Sequence, residues 1–251
     1  MSSAKTKMVG REMKILATRL REEMGWACTD PVSIHTLIRK KGIIAVFRPL
    51  GSDFSGMALR TASPDGTPRL FMLVNTADSL GKQRFTVCHE LYHLLFQENF
   101  EASVSQAGRF DETVLEEYKA DLFAASLLLP EVGIETLVPS SQFKRDSISL
   151  ETVLMLEHNY RCSRTTLLRA LKEMQLISSE KYNLFSLQIL HGAAEYGYDL
   201  SLYKPTGKVE FLGDYHIKAR LLFDAGKISR TRYQELLDDM QVDREVTDDG
   251  E

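Results

Sequence analysis

Apolar residues recur at helical spacing near the start of the chain, where Met13, Leu16, Ala17 and Leu20 share one face of an amphipathic helix expected over residues 5–25. Pro31 opens a second helix, residues 32–41, which carries Ile34, Leu37 and Ile38. The period then shortens. Apolar runs at 43–47, 56–60 and 70–74 read as strands, with Gly51, Gly66 and the Pro64/Pro68 region as turns. Helical spacing returns around residues 84–99, which no Gly or Pro interrupts and where Phe85, Val87, Leu91, Leu94 and Leu95 surround a polar face. It returns again in 116–129, through Tyr118, Leu122, Ala125 and Leu129, and Pro130 marks the stop. A small sheet backed by helices is an α+β layout.

After residues 139–141 two helices are expected, 149–158 and 164–174, around a short break with Ser163 as the N-cap of the second. Helix, tight turn and a helix carrying Arg164, Arg169 and Lys172 give the outline of a helix-turn-helix. Residues 199–203 and 208–212 around Thr206-Gly207 read as a β-hairpin. Residues 217–225 and 230–240 read as two further helices around a turn.

Composition narrows the class. No stretch approaches the roughly 18–20 apolar residues that span a bilayer, and residues 1–26 mix Lys, Arg and Glu without an apolar signal core. Cys28, Cys88 and Cys162 are odd in number and widely spaced, which argues against a disulfide framework and for a reducing, cytoplasmic setting. A net charge of −4 gives no global basic field for nucleic acid, so DNA contact through residues 164–174 is not favoured; packing or substrate docking is the expected use. Residues 234–251 concentrate Glu235, Asp238, Asp239, Asp243, Glu245, Asp248, Asp249 and Glu251 against Arg244, the pattern of a solvated end.

The chemistry concentrates at His89-Glu90-Leu91-Tyr92-His93, an HExxH motif in a helix-forming setting. Residues four apart on a helix lie about 5–6 Å apart at Cβ, so two imidazoles can grip one metal ion while Glu90 serves as a carboxylate base. Catalytic zinc usually takes a third protein ligand, and the helix at 116–129 offers Glu117, with Glu116 as a competitor. Asp121, flanked by Ala120 and residues 122–125, is a charge in an apolar helix and is expected to have a partner, such as the spare N–H of a ligand histidine. Tyr92, Tyr118 or a remote His or Arg remain open as a second electrophile. His158 has no partner at ligand spacing and reads as a helix-surface residue.

These segments resemble the ImmA/IrrE metallopeptidases, which pair an Arg-Phe-Thr-x-x-His-Glu-x-x-His helix with a Glu-x-x-Ala-(Asn/Asp)-x-Phe-Ala-x-x-Leu-Leu-x-Pro helix. Residues 84–93 and 117–130 carry the two motifs, and the likeness extends upstream to residues 54–57 and 70–75, covering roughly 30–176. The resemblance implies a gluzincin-like site with His89, His93 and Glu117 as zinc ligands and Glu90 as catalytic base. Cys88 stands where the family more often has Ala, and Tyr92 where Gly is common; the larger Tyr92 is expected to narrow the cleft or lend it a hydroxyl. It also implies a protein substrate: a helix-turn-helix repressor or antitoxin, often encoded nearby, cut to relieve repression under stress or phage challenge. The expected organisation is an N-terminal helix (1–29), a metallopeptidase core (30–137), the helix-turn-helix-like segment (138–180) and a C-terminal sensor or docking region (181–251). A DNA-binding regulator or toxin–antitoxin component with a structural metal is the rival, and an intact Glu90 argues against it, because a structural site needs no base.

Overall fold

The computed structural model describes residues 3–63 and 65–241; the turn expected at Pro64 and the acidic stretch beyond residue 241 lie outside the described residues. The amphipathic start of the chain forms α1 (Ser3–Met24), whose buried face runs Val9, Met13, Ala17, Leu20 and Met24. Each large side chain removed from water there contributes about 1.5–3 kcal/mol before entropy is counted. A short α2 (Ile34–Lys40) leads into β1 (Ile43–Arg48), β2 (Gly56–Ala62) and β3 (Pro68–Asn75). In β2 and β3, Ala58, Met72 and Val74 are buried while the alternate positions Met57, Leu59, Phe71 and Leu73 are half-buried. That period of two turns one face of the sheet to the core.

The sheet order is β4-β2-β3-β1-β5, where β4 is Ala102–Ser105 and β5 is Glu210–Leu212. β1 and β3 run parallel, pairing Ile43 with Leu70 and Arg48 with Asn75; every other pairing is antiparallel. The expected hairpin over 199–212 does not form. Leu200–Tyr203 is a 3-10 turn, started by the Asp199 carboxylate accepting from the Ser201 amide at 2.9 Å. β5 pairs instead with β1, Ala45 opposite Leu212. The free edge of β1 offers a full ladder partner, whereas the Tyr203 hydroxyl is drawn 3.0 Å from buried Glu157.

α3 (Leu80–Leu95) lies on β2 and β3, and α4 (Leu115–Leu128) fits between α3 and α1. Every residue of α3 from Gln83 to Leu94 is buried, polar ones included, so its polar face is not the solvent face of an ordinary amphipathic helix. Arginines finish these buried helix ends. Arg21 donates to Leu127 O at 2.8 Å, and Arg60 donates to Leu94 O at 3.3 Å and Gln97 O at 2.7 Å, satisfying carbonyls that no helical N–H can reach. Position 56 must be glycine, because a Cβ there would meet Thr86 Cγ2 in overlap and stand 2.9 Å from Glu90 Oε1. The sheet therefore lies directly against the HExxH helix.

Beyond α5 (Glu131–Leu137) come α6 (Leu150–Tyr160) and α7 (Arg164–Glu173), the helix-turn-helix outline. Ser149 and Ser163 cap them, each side chain accepting from the amide three residues on. Arg84 ties α3 to this turn by donating to Arg161 O at 2.8 Å, and to Val32 O at 2.6 Å. α8 (Ser179–Phe185) and α9 (Ile189–Glu195), which the pattern does not announce, precede β5; α10 (Tyr215–Asp224) and α11 (Arg230–Gln241) follow and pack on each other. Among the described residues no helix is long and apolar enough to cross a membrane.

Candidate metal centre

One turn of α3 sets His89 and His93 on the same face, and α4 brings Glu117 against both. His89 Nε2 stands 3.2 Å from His93 Nε2 and 3.1 Å from Glu117 Oε2, and His93 Nε2 lies 3.4 Å from Glu117 Oε1. The opposite ring nitrogens are already committed. His89 Nδ1 donates to Asp121 Oδ1 at 2.7 Å, and His93 Nδ1 donates to Gln97 Oε1 at 2.5 Å. With Nδ1 carrying the hydrogen on each ring, a bound metal ion would meet two Nε2 lone pairs; without one, His89 Nε2 holds a proton toward Glu117. Two imidazole nitrogens and a carboxylate that converge within 3.4 Å, each imidazole oriented from its far side, are a donor set that fits a metal ion. The His93 ring is further fixed by stacking on Phe100, centroids 5.4 Å apart.

The field of the cluster agrees. Burial opposes charge on His89, yet hydrogen bonds to Asp121 and Glu117 and the charge of Glu90 together outweigh it and raise its pKa to about 10. His93 is lowered, by burial and then by its neighbour His89. Burial would raise Glu117, but the two histidines hold it below the usual carboxylate range. The site draws one positive charge to the point where the three donors meet.

Asp121 anchors more than His89. Its Oδ1 also accepts from the Gly108 amide at 2.8 Å, and its Oδ2 from the Phe110 amide at 2.6 Å. A carboxylate 2% exposed is thus fully partnered, and the loop after β4 is pinned on both sides of Arg109. Arg109 and Glu117 line a common cleft of about 480 Å³.

The family assignment follows from the sequence pattern that carries these helices. The pattern of the IrrE N-terminal-like domain, a peptidase family, matches residues 39–172, a little over half of the 251 residues. The chain belongs to this IrrE-type peptidase family. A search of the curated proteins finds no match. In this IrrE-type chain the matched span runs from the end of α2 to α7 and includes both site helices.

Of the residues singled out in the sequence, His89, His93, Glu117 and Asp121 come together as described. Glu116 does not join them: it accepts from the Tyr92 hydroxyl and from Lys119 Nζ, each at 2.8 Å. Tyr92 is thereby turned to Glu116, and Tyr118 is buried. Cys88 is fully buried, and burial pushes its thiol up to about 12 against the pull of Arg84 and Arg21. His158 is half-buried rather than on the surface, stacked on Tyr198 and 3.0 Å from the Tyr203 hydroxyl. Arg164 is 3% exposed and paired with Glu157 at 2.8 Å, and Arg169 covers the Phe110 ring, so two of the three basic residues on α7 face protein.

Glu90 is fully buried, and burial raises its pKa. Ser105 Oγ donates to its Oε1 in a short contact and Ser103 Oγ to its Oε2 at 3.1 Å. Both serines lie on β4, which the sequence pattern does not mark, and nothing in their spacing points at Glu90. Gln97 is different. It stands four residues after His93, a helix-neighbour spacing that could have identified it.

Proposed function

We propose that this protein is a zinc endopeptidase that cuts one cognate helix-turn-helix repressor or antitoxin. The observation that carries the reading is the convergence of the His89 and His93 Nε2 atoms with the Glu117 carboxylate, one residue from a buried glutamate. His89, His93 and Glu117 would hold the metal. Zinc bound there supplies a Lewis acid that brings a water's pKa down to about 7 and polarises the scissile carbonyl. Glu90 takes the proton of the attacking water and passes it to the leaving amine. Burial keeps that carboxylate basic enough for the first transfer, and the Ser103 and Ser105 hydroxyls orient it.

Arg109 is the cation among the residues lining the cleft with Glu117, and it takes the role of electrophile for the developing oxyanion. Tyr92 is engaged with Glu116, and Tyr118 is buried. Val104 and Val114, 70% and 51% exposed, border the same cleft and suit apolar side chains of an extended segment. Family membership supports a protein substrate, and a repressor or antitoxin encoded nearby is the one the motif resemblance favours.

The test is incubation of the zinc-loaded chain with the neighbouring regulator and, separately, with casein. Single-site cleavage of the regulator and little loss of casein are expected. Glu90→Gln should keep zinc and cut at least about 100-fold more slowly. Broad digestion of casein, or an active Glu90→Gln protein, would overturn the reading.

A further inference from the structure

The loop after β4 separates two cavities. Gln106, Arg109 and Asp111 line the cleft that holds Glu117, whereas Ala107, Gly108 and Phe110 line a second cavity of about 800 Å³, closed on its other side by α7 and Tyr182. Its charge runs against that of the chain. Of the cations lining it, Lys82 is paired with Asp78 at 2.8 Å and Arg169 with Glu173 at 3.0 Å, which leaves Lys172 as the net positive charge in a protein of net charge −4. Lys172 has no carboxylate partner among the described residues; its amine lies 5.7 Å from the Tyr182 ring centroid. Phe110 and Tyr182 supply aromatic surface over the buried Phe85, and Thr165 adds a hydroxyl. Aromatic faces beside a net cationic rim suit a flat ring that carries a phosphate.

The cavity also touches the metal centre through one residue. Phe110 adopts a left-handed backbone, φ +54°, which a bulky side chain keeps only where its surroundings impose it. Those surroundings are Phe85, 6.0 Å away, and the Arg169 guanidinium, 3.5 Å from the ring centroid. The Phe110 amide holds Asp121, and Asp121 holds His89. Arg169 is shared with Glu173, its Nε donating at 3.0 Å, so an anion in the cavity competes for the same guanidinium that seats Phe110.

We propose that this cavity binds a nucleoside phosphate, and that occupancy alters how firmly Asp121 orients His89. The binding half stands alone; the coupling half rests on the zinc reading above. Calorimetry on the full-length, zinc-loaded protein with AMP, adenosine and inorganic phosphate tests the first half. AMP should bind with a Kd below about 100 µM, and each fragment at least about tenfold more weakly. Lys172→Ala and Arg169→Ala should each weaken AMP by about tenfold. For the second half, saturating AMP should change the rate at which a chelator removes zinc by about threefold or more, and Phe110→Gly, which keeps the left-handed backbone without the ring, should abolish that change.

No AMP binding at about 1 mM, or binding unmoved by both cation variants, overturns the site. Phosphate binding as tightly as AMP overturns the nucleoside. AMP bound with zinc release unchanged overturns the relay. A chain that retained no zinc would sink the metallopeptidase reading, and the calorimetry would still decide the cavity.

Discussion

Two imidazoles a helical turn apart become a metal grip only when each has its outer nitrogen engaged, and here Asp121 and Gln97 do that for His89 and His93. The third donor separates by the same reasoning. Glu116 is occupied by Tyr92 and Lys119, while Glu117 lies within 3.4 Å of both histidines. Glu117→Ala should therefore lower zinc affinity by at least about 100-fold, and Asp121→Asn, which leaves His89 without its acceptor, by about 10- to 100-fold. Glu116→Ala should keep its zinc. Metal content after dialysis against a competing chelator reads all three, and zinc lost from Glu116→Ala but kept in Glu117→Ala would move the ligand by one residue.

Elements built on local periodicity were readable, and elements that exist only through distant pairing were not. The motif helix shows its 3.6-residue repeat, and β1 to β3 show apolar runs between turn residues. α4 is placed by its apolar run, but it buries Ala120, Phe123, Ala124 and Leu127 while the expected Leu122 and Ala125 are half-buried. β4 has Val104 as its one large apolar side chain, and that residue points to solvent; its ladder with β2 and its grip on Glu90 arise only once the sheet is assembled. β5 likewise needs the edge of β1, far away in sequence. The α6–α7 outline was legible, but not that its first arginine is internal. Arg164 meets Glu157, which is fully buried and also accepts from Tyr203, while Glu157 Oε1 finds no hydrogen-bond partner among the described residues. Removing one member of such a pair strands a charge in an apolar setting. Arg164→Met should cost about 3–5 kcal/mol in urea unfolding, and adding Glu157→Leu should return most of it. A single variant costing under about 1 kcal/mol would show that the pair does not anchor the helices.

Among the described residues, the C-terminal region is tied to the rest of the molecule chiefly through residues 181–213. Tyr203 reaches Glu157, Gln83 donates to Thr206 at 3.1 Å, and Leu212 is buried in the core beside β1. Gly213, at φ +106°, lets the chain leave the sheet where a Cβ would stand 2.6 Å from Ile43 O. α10 and α11 pack mainly on each other, and Ile217, Leu221 and Leu222 on α10 are exposed. Two truncations therefore have different outcomes. Ending the chain after Gly213 leaves β5 paired and Glu157 covered, so the melting temperature should fall by no more than about 2–4 °C, the shift of roughly 1 kcal/mol in a domain this size. Ending it after Glu180 bares the β1 edge, removes the Tyr203 hydroxyl from a buried carboxylate and invites edge-to-edge association. That protein should melt at least about 10 °C lower or aggregate, even though His89, His93 and Glu117 are all present. Thermal unfolding of the two proteins decides it, and equal melting temperatures would show that residues 181–213 contribute nothing to the stability of the rest of the fold.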